Sequence, residues 1–123
     1  MANYEGKYVD SFVLAVPTDK LDAYRELERI AGRVWRDHGA LEYVVCIADD
    51  VPTGKITSFP QSVQLKDGEM VVFAWAVYRS RAHRDEVMGK VMQDERMKDC
   101  SPATMPFDGK RMFWGGFKVM HEA

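Results

Sequence analysis

A chain of 123 residues, 46% apolar, 29% charged and 11% aromatic, is expected to form one globular domain over residues 1–123, which excludes disordered, collagen-like and disulfide-rich classes. Seventeen Lys and Arg against 19 Asp and Glu leave a net charge of -2, which argues against nucleic acid, because phosphate neutralisation calls for a basic surplus. Cys46 and Cys100 form neither a disulfide framework nor a C-x-x-C pair, and no run is apolar enough for a signal peptide or a membrane span, so a cytoplasmic setting without membrane contact is expected.

Residues 8–16 are rich in β-branched and aromatic side chains and stop at Pro17, the pattern of a strand. Thr18 or Asp19 can then cap a helix. From 21 to 38 the side chains at 21, 24, 27, 31, 34, 35 and 38 fall within an arc of roughly 140°, the width of a helix lying on a core. Gly39 supplies the left-handed residue that ends it. Residues 41–48 and 70–78 are a second and a third strand. Ser80 caps a second helix reaching Arg96 or Met97, with Val87, Met88, Val91 and Met92 on one face. After the turn Asp108-Gly109, residues 110–120 form a fourth strand. The order β-α-β-β-α-β is that of a ferredoxin-like α+β sandwich, an antiparallel four-stranded sheet with two helices on one face.

Residues 12–16, 43–48 and 71–77 are apolar in both phases, as in strands covered on both faces. Two helices cover only one, so a second copy of the sheet is expected on the other, making a homodimer and a dimeric α+β barrel. The long connections 49–69 and 94–109 hold either local structure or a ligand-lining role.

Most catalytic signatures are absent. His38, His83 and His121 have no metal-ligand spacing, Thr53-Gly54-Lys55 lacks the upstream glycine of a phosphate loop, Trp114-Gly115-Gly116-Phe117 lies in a strand, and there is no G-x-S-x-G elbow. Neither a metal nor a cofactor is expected. What remains are polar residues in apolar phases: Asp10 on the first strand, Glu28 and His38 on the first helix, and Arg84 on the second. Each needs a partner or an opening to water. An ion pair of Arg84 with Asp10 or Glu28 meets that need structurally, and His38 at a helix C-terminus is a favourable dipole partner. The chemical alternative makes Asp10, His38 and Arg84 the catalytic candidates, with Asp10 or His38 moving a proton in a pocket between sheet and helices. For binding a small molecule the candidates are Trp35, Asp49, Asp50, Trp75 and Arg111. Cys46, at a strand centre among Val and Ile, is expected to be a small buried hydrophobe.

Several blocks occur in a distinctive order: Gly39-Ala40-Leu41-Glu42-Tyr43, Asp49-Asp50-Val51-Pro52-Thr53-Gly54-Lys55, Thr57-Ser58-Phe59-Pro60, Tyr78-Arg79-Ser80-Arg81-Ala82-His83-Arg84-Asp85, Met105-Pro106-Phe107-Asp108-Gly109-Lys110-Arg111-Met112 and Gly115-Gly116-Phe117. Together they resemble the YbaA-like bacterial family of unknown function, within the dimeric α+β barrel superfamily. His83 departs from that pattern, which leads one to expect an acidic residue. The resemblance implies the same fold and dimer and no catalytic assignment; superfamily relatives include cofactor-independent monooxygenases, isomerases and haem-degrading enzymes. Two functions follow as expectations: a cofactor-independent small-molecule enzyme or ligand-binding protein, or a non-catalytic dimeric interaction or regulatory module.

Overall fold

A computed structural model describes residues 6–98 and 105–123 of the chain; Cys100 lies outside them. The elements are β1 (Tyr8–Pro17), α1 (Leu21–Asp37), β2 (Glu42–Ile47), the short α2 (Phe59–Ser62), β3 (Glu69–Tyr78), α3 (Arg81–Val91) and β4 (Phe113–Lys118). The sheet is antiparallel throughout, in the order β2-β3-β1-β4, and the fold is α+β as expected. Among the described residues no helix is long and apolar enough to cross a membrane.

Local chemistry explains where the boundaries differ from expectation. Neither Thr18 nor Asp19 caps α1; both lie in a 3-10 turn, and the Thr18 hydroxyl donates instead to the Gly68 carbonyl, 3.0 Å away, tying the turn to the loop before β3. Gly39, at φ +116°, ends α1 as its sequence position implies. Ser80 does cap α3, its hydroxyl accepting from the His83 N–H at 3.1 Å. That helix stops at Val91, short of Arg96, because Asp94 accepts from the Arg96 N–H and starts a separate 3-10 turn, Glu95–Met97. Likewise Asp108 accepts from the Lys110 N–H, so Gly109–Arg111 closes into a turn and β4 begins only at Phe113.

One sheet face carries α1 and α3. There Tyr8, Leu14, Val16, Val72, Ala76 and Tyr78 pack against Tyr24, Ala31, Val34 and Trp35 of α1 and Val87 and Val91 of α3. On the other face Val13, Ala15 and Val71 are covered by Val63 and Leu65, so the connection after β2 supplies local structure at that end. Further along, that face presents Val9, Phe73 and Trp75, with Phe113 46% and Phe117 60% exposed. Cys46 pairs with Phe73 on this side of the edge strand β2 and is exposed, not the buried hydrophobe its neighbours suggest. Apolar neighbours in sequence do not bury a residue when its strand is at the rim and its side chain points away from the helices.

The Gly115-Gly116 pair has a packing role at its second position. A Cβ on Gly116 would lie 2.6 Å from Cε2 of Tyr8, whose buried ring also carries the Arg84 guanidinium 5.0 Å above its centroid. Gly116→Ala should therefore cost about 1–3 kcal/mol by overpacking, despite the better strand propensity of alanine, and urea unfolding measures it; an unchanged midpoint would show that the Tyr8 ring can move aside.

Candidate functional site

The face of α1 that meets the sheet is apolar except at Glu28. Beneath it, Ala31 of α1 and Ala74 of β3 are too small to fill the space between helix and strands, and a cavity of about 160 Å³ remains. Phe12 and Leu14 form its floor, Leu27 and Trp35 flank it on α1, and Met97, Met105, Phe107 and Met112 close it from the segments after α3. The Phe107 ring stands edge-on to Tyr24, with centroids 5.8 Å apart.

Glu28 is the polar group that lines this space alongside the tyrosine hydroxyls. The Tyr43 hydroxyl lies 3.1 and 3.3 Å from its two carboxylate oxygens and donates to them, and the Tyr24 hydroxyl is near enough to favour the carboxylate. Burial pushes the Glu28 carboxyl above its ordinary range, and the two phenols pull it only part of the way back. Burial and the neighbouring carboxylate raise both phenols, so they remain O–H donors. Tyr43 is held in turn by its ring contact with Trp35, at 5.4 Å, and by Gly32, where a Cβ would come within 3.1 Å of the ring. The result is a carboxyl group with an upward-shifted pKa in a mostly apolar cavity, beside one fixed phenol donor.

Asp10 and Arg84 form a separate cluster. Asp10 is 2% exposed, and Arg84 Nη1 donates to it at 2.7 Å while Nε donates to Asp85 at 2.8 Å. The Tyr78 hydroxyl lies beside Asp10 and accepts from the Trp35 indole N–H at 3.1 Å. Burial raises the Asp10 carboxyl, and Arg84 and Tyr78 offset that only in part. Of the two possible partners for Arg84, the structure selects Asp10 and leaves Glu28 to the tyrosines. Trp35 joins the clusters, its ring against Tyr43 and its N–H on Tyr78.

The other sequence candidates are dispersed. His38 Nε2 lies 2.8 Å from Asp94, whose carboxyl is held far below its ordinary range by Arg96 and then by His38; Arg96 also pairs with Asp37. This network fastens the turn after α3 to the end of α1 and does not enter the cavity. Trp75 lies on the opposite sheet face, and Asp49 and Asp50 are exposed beyond β2. Arg111 grips both oxygens of Glu69 at 2.7 and 2.6 Å, Asp108 at 3.1 Å and the Gln64 carbonyl at 3.1 Å, stapling the loop before β3 to the segment before β4. Only Trp35 of the eight candidates lines the cavity. His83, three residues after the Ser80 cap, accepts from the Arg79 N–H at 2.9 Å through its ring Nδ1, one residue ahead of the N–H that a capping-box carboxylate takes. Burial lowers its pKa, which favours the neutral ring that can accept. Glu28 stood out in the sequence only by its phase, and Tyr24 and Tyr43 carried no signal separating them from core aromatics.

Residues 7–109 match the model of a family described as a protein of unknown function (DUF1428). The uncharacterized protein YbaA of Escherichia coli K12 is 51% identical over 112 residues, covering 91% of this chain and 95% of that protein. YbaA of Shigella flexneri matches with the same identity and coverage. Among solved structures, a NIPSNAP family protein from Agrobacterium tumefaciens strain C58 aligns with a TM-score of 0.57 at 15% identity, over 100% of this chain and 94% of that one, a likeness of fold.

Proposed function

The chain belongs to the DUF1428 family of proteins of unknown function, and we propose that its sheet–helix cavity is a small-molecule site where Glu28 moves a proton without a cofactor. The observation that carries this reading is a carboxyl group placed in an apolar cavity and held by the Tyr43 phenol, with the Tyr24 phenol beside it. As a carboxylate, Glu28 would take a proton from a carbon next to a carbonyl, and the C–H electron pair would move onto the carbonyl oxygen. Protonated Glu28 no longer needs the Tyr43 donor, so that hydroxyl is released to hydrogen-bond the oxygen that has gained charge. Returning the proton to the same carbon gives exchange; returning it to another gives isomerisation.

The test is incubation of the protein with small apolar carbonyl compounds in D2O, read by mass spectrometry, beside a thermal-shift screen of the same compounds. At least one compound should raise the melting temperature and gain deuterium faster than in buffer. Ala31→Leu, which fills the cavity, should abolish both effects. Exchange that survives this substitution, or no stabilising compound, would overturn the reading.

We further propose that the second sheet face, with Phe73, Trp75, Phe113 and Phe117, binds a second copy of the chain. Light scattering on a sizing column should give twice the chain mass of 14.1 kDa, and Phe117→Glu should return it to one. A wild-type monomer would refute the dimer.

A further inference from the structure

We infer that the compound bound in the cavity is an amphipathic anion, whose apolar body occupies the cavity and whose oxyanion head rests in an arginine-lined groove on α1; this rests on the cavity being a small-molecule site, as proposed above. The groove runs between α1 and β2, and Arg25, Arg29, Arg33 and Arg36 line it. Positions 25, 29 and 33 follow one another at four-residue spacing, so their side chains share a helix face. Four guanidinium groups in one groove stand out in a chain whose net charge is -2.

Two of the four are already engaged. Arg29 pairs with Glu26 at 2.6 Å, and Arg36 donates to the Leu41 carbonyl. Arg25 and Arg33 are exposed and have no carboxylate partner among the described residues. Asp37, an acidic side chain on the rim, is bound by Arg96 at 2.8 Å. The groove therefore offers uncommitted guanidinium donors of the geometry that suits a carboxylate or phosphate head.

Glu28 and Tyr43 line both this groove and the cavity. This hydrogen-bonded pair thus faces both the apolar cavity and the arginine-lined groove. Gly32 contributes no side chain at the groove floor, where a Cβ would press on the Tyr43 ring. A ligand that displaces the Tyr43 hydroxyl from Glu28 places its body among Leu14, Ala31 and Ala74 and its head beside Arg25 and Arg33. The carbons next to the head then face Glu28, which defines where on the ligand the proton would move. An uncharged ligand of the same length would use the cavity alone.

Calorimetric titration of the whole protein at pH 7 with octanoate, octyl phosphate and 1-octanol tests this. At least one of the two anions should bind about tenfold or more tightly than the alcohol, the gain of one or two charge-assisted hydrogen bonds. That margin should shrink with added salt and vanish in Arg25→Ala/Arg33→Ala, where both changes fall on exposed helix positions and alanine favours the helix. Which anion shows the larger margin separates a carboxylate from a phosphate head. Equal binding of all three probes would overturn the anionic head while leaving the cavity reading intact. An anion preference that persists in the double variant would also overturn it, by placing the head elsewhere. If no probe binds, the inference falls, and deuterium exchange then decides the cavity reading separately.

Discussion

Arg84→Ala is expected to cost about 3–5 kcal/mol of stability, the largest loss predicted for a single side chain of this protein. Arg84 is the cation that offsets the charge of Asp10, and Asp10 is 2% exposed, so its carboxylate cannot turn to water when the guanidinium is gone. The loss also removes the cation over the Tyr8 ring. The direction with pH follows from the sign of the Asp10 shift. Its pKa is already raised in the folded chain, so the folded state binds this proton more tightly than the unfolded state does. A group of that kind contributes stability that is full below its unfolded pKa and is lost as pH rises through the folded one. Removing Arg84 takes away the largest pull downward and extends the loss to higher pH. The deficit of Arg84→Ala should accordingly be smaller in urea unfolding near pH 4.5 than at pH 7.5. The double variant Asp10→Leu/Arg84→Met should recover most of the stability, because replacing both members of a buried pair removes the unpaired charge. An equal deficit at both pH values would show that packing, not the orphaned carboxylate, sets the cost.

The second large effect is on chemistry. For any compound that gains deuterium with the wild-type protein, Glu28→Gln should slow exchange by about 10²–10⁴-fold, the usual contribution of a positioned acid–base group. Stability should move the other way. Burial raises the Glu28 carboxyl, so its contribution to folding is full at low pH and declines as pH rises through the folded pKa. Glutamine does not titrate, and its amide can still accept from Tyr43. Glu28→Gln should thus gain on the wild type between acid and neutral pH in paired thermal melts. A variant that loses stability and exchange together would assign Glu28 to the fold rather than to a reaction.

The YbaA-like resemblance read from the ordered motifs holds over nearly the whole chain. Legibility differed between fold and site for a physical reason. Strand and helix periods are properties of neighbouring residues, and so are the Ser80 cap and the Gly39 stop; these could be read directly. The ends of α3 and the start of β4 were misplaced because Asp94 and Asp108 bond to backbone two residues on, a contest with the helix or strand that turns on local geometry. Polar residues in apolar phases do find partners in the fold, yet phase alone does not distribute those partners. It leaves Arg84 between Asp10 and Glu28, and it groups His38 with residues it never meets.

The sequence by itself determined the order of elements, the α+β class, the two-sided apolar strands and the short roster of misplaced polar side chains, because each is written in spacing and composition along the chain. Only the tertiary structure decided that Asp10 takes Arg84 and Glu28 takes Tyr43. It also decided that Ala31 and Ala74 meet across an unfilled space and that four arginines border it from outside. Those outcomes depend on strand register and on how closely α1 approaches β2 over Gly32, and a distance between residues remote in sequence is set by packing rather than by period.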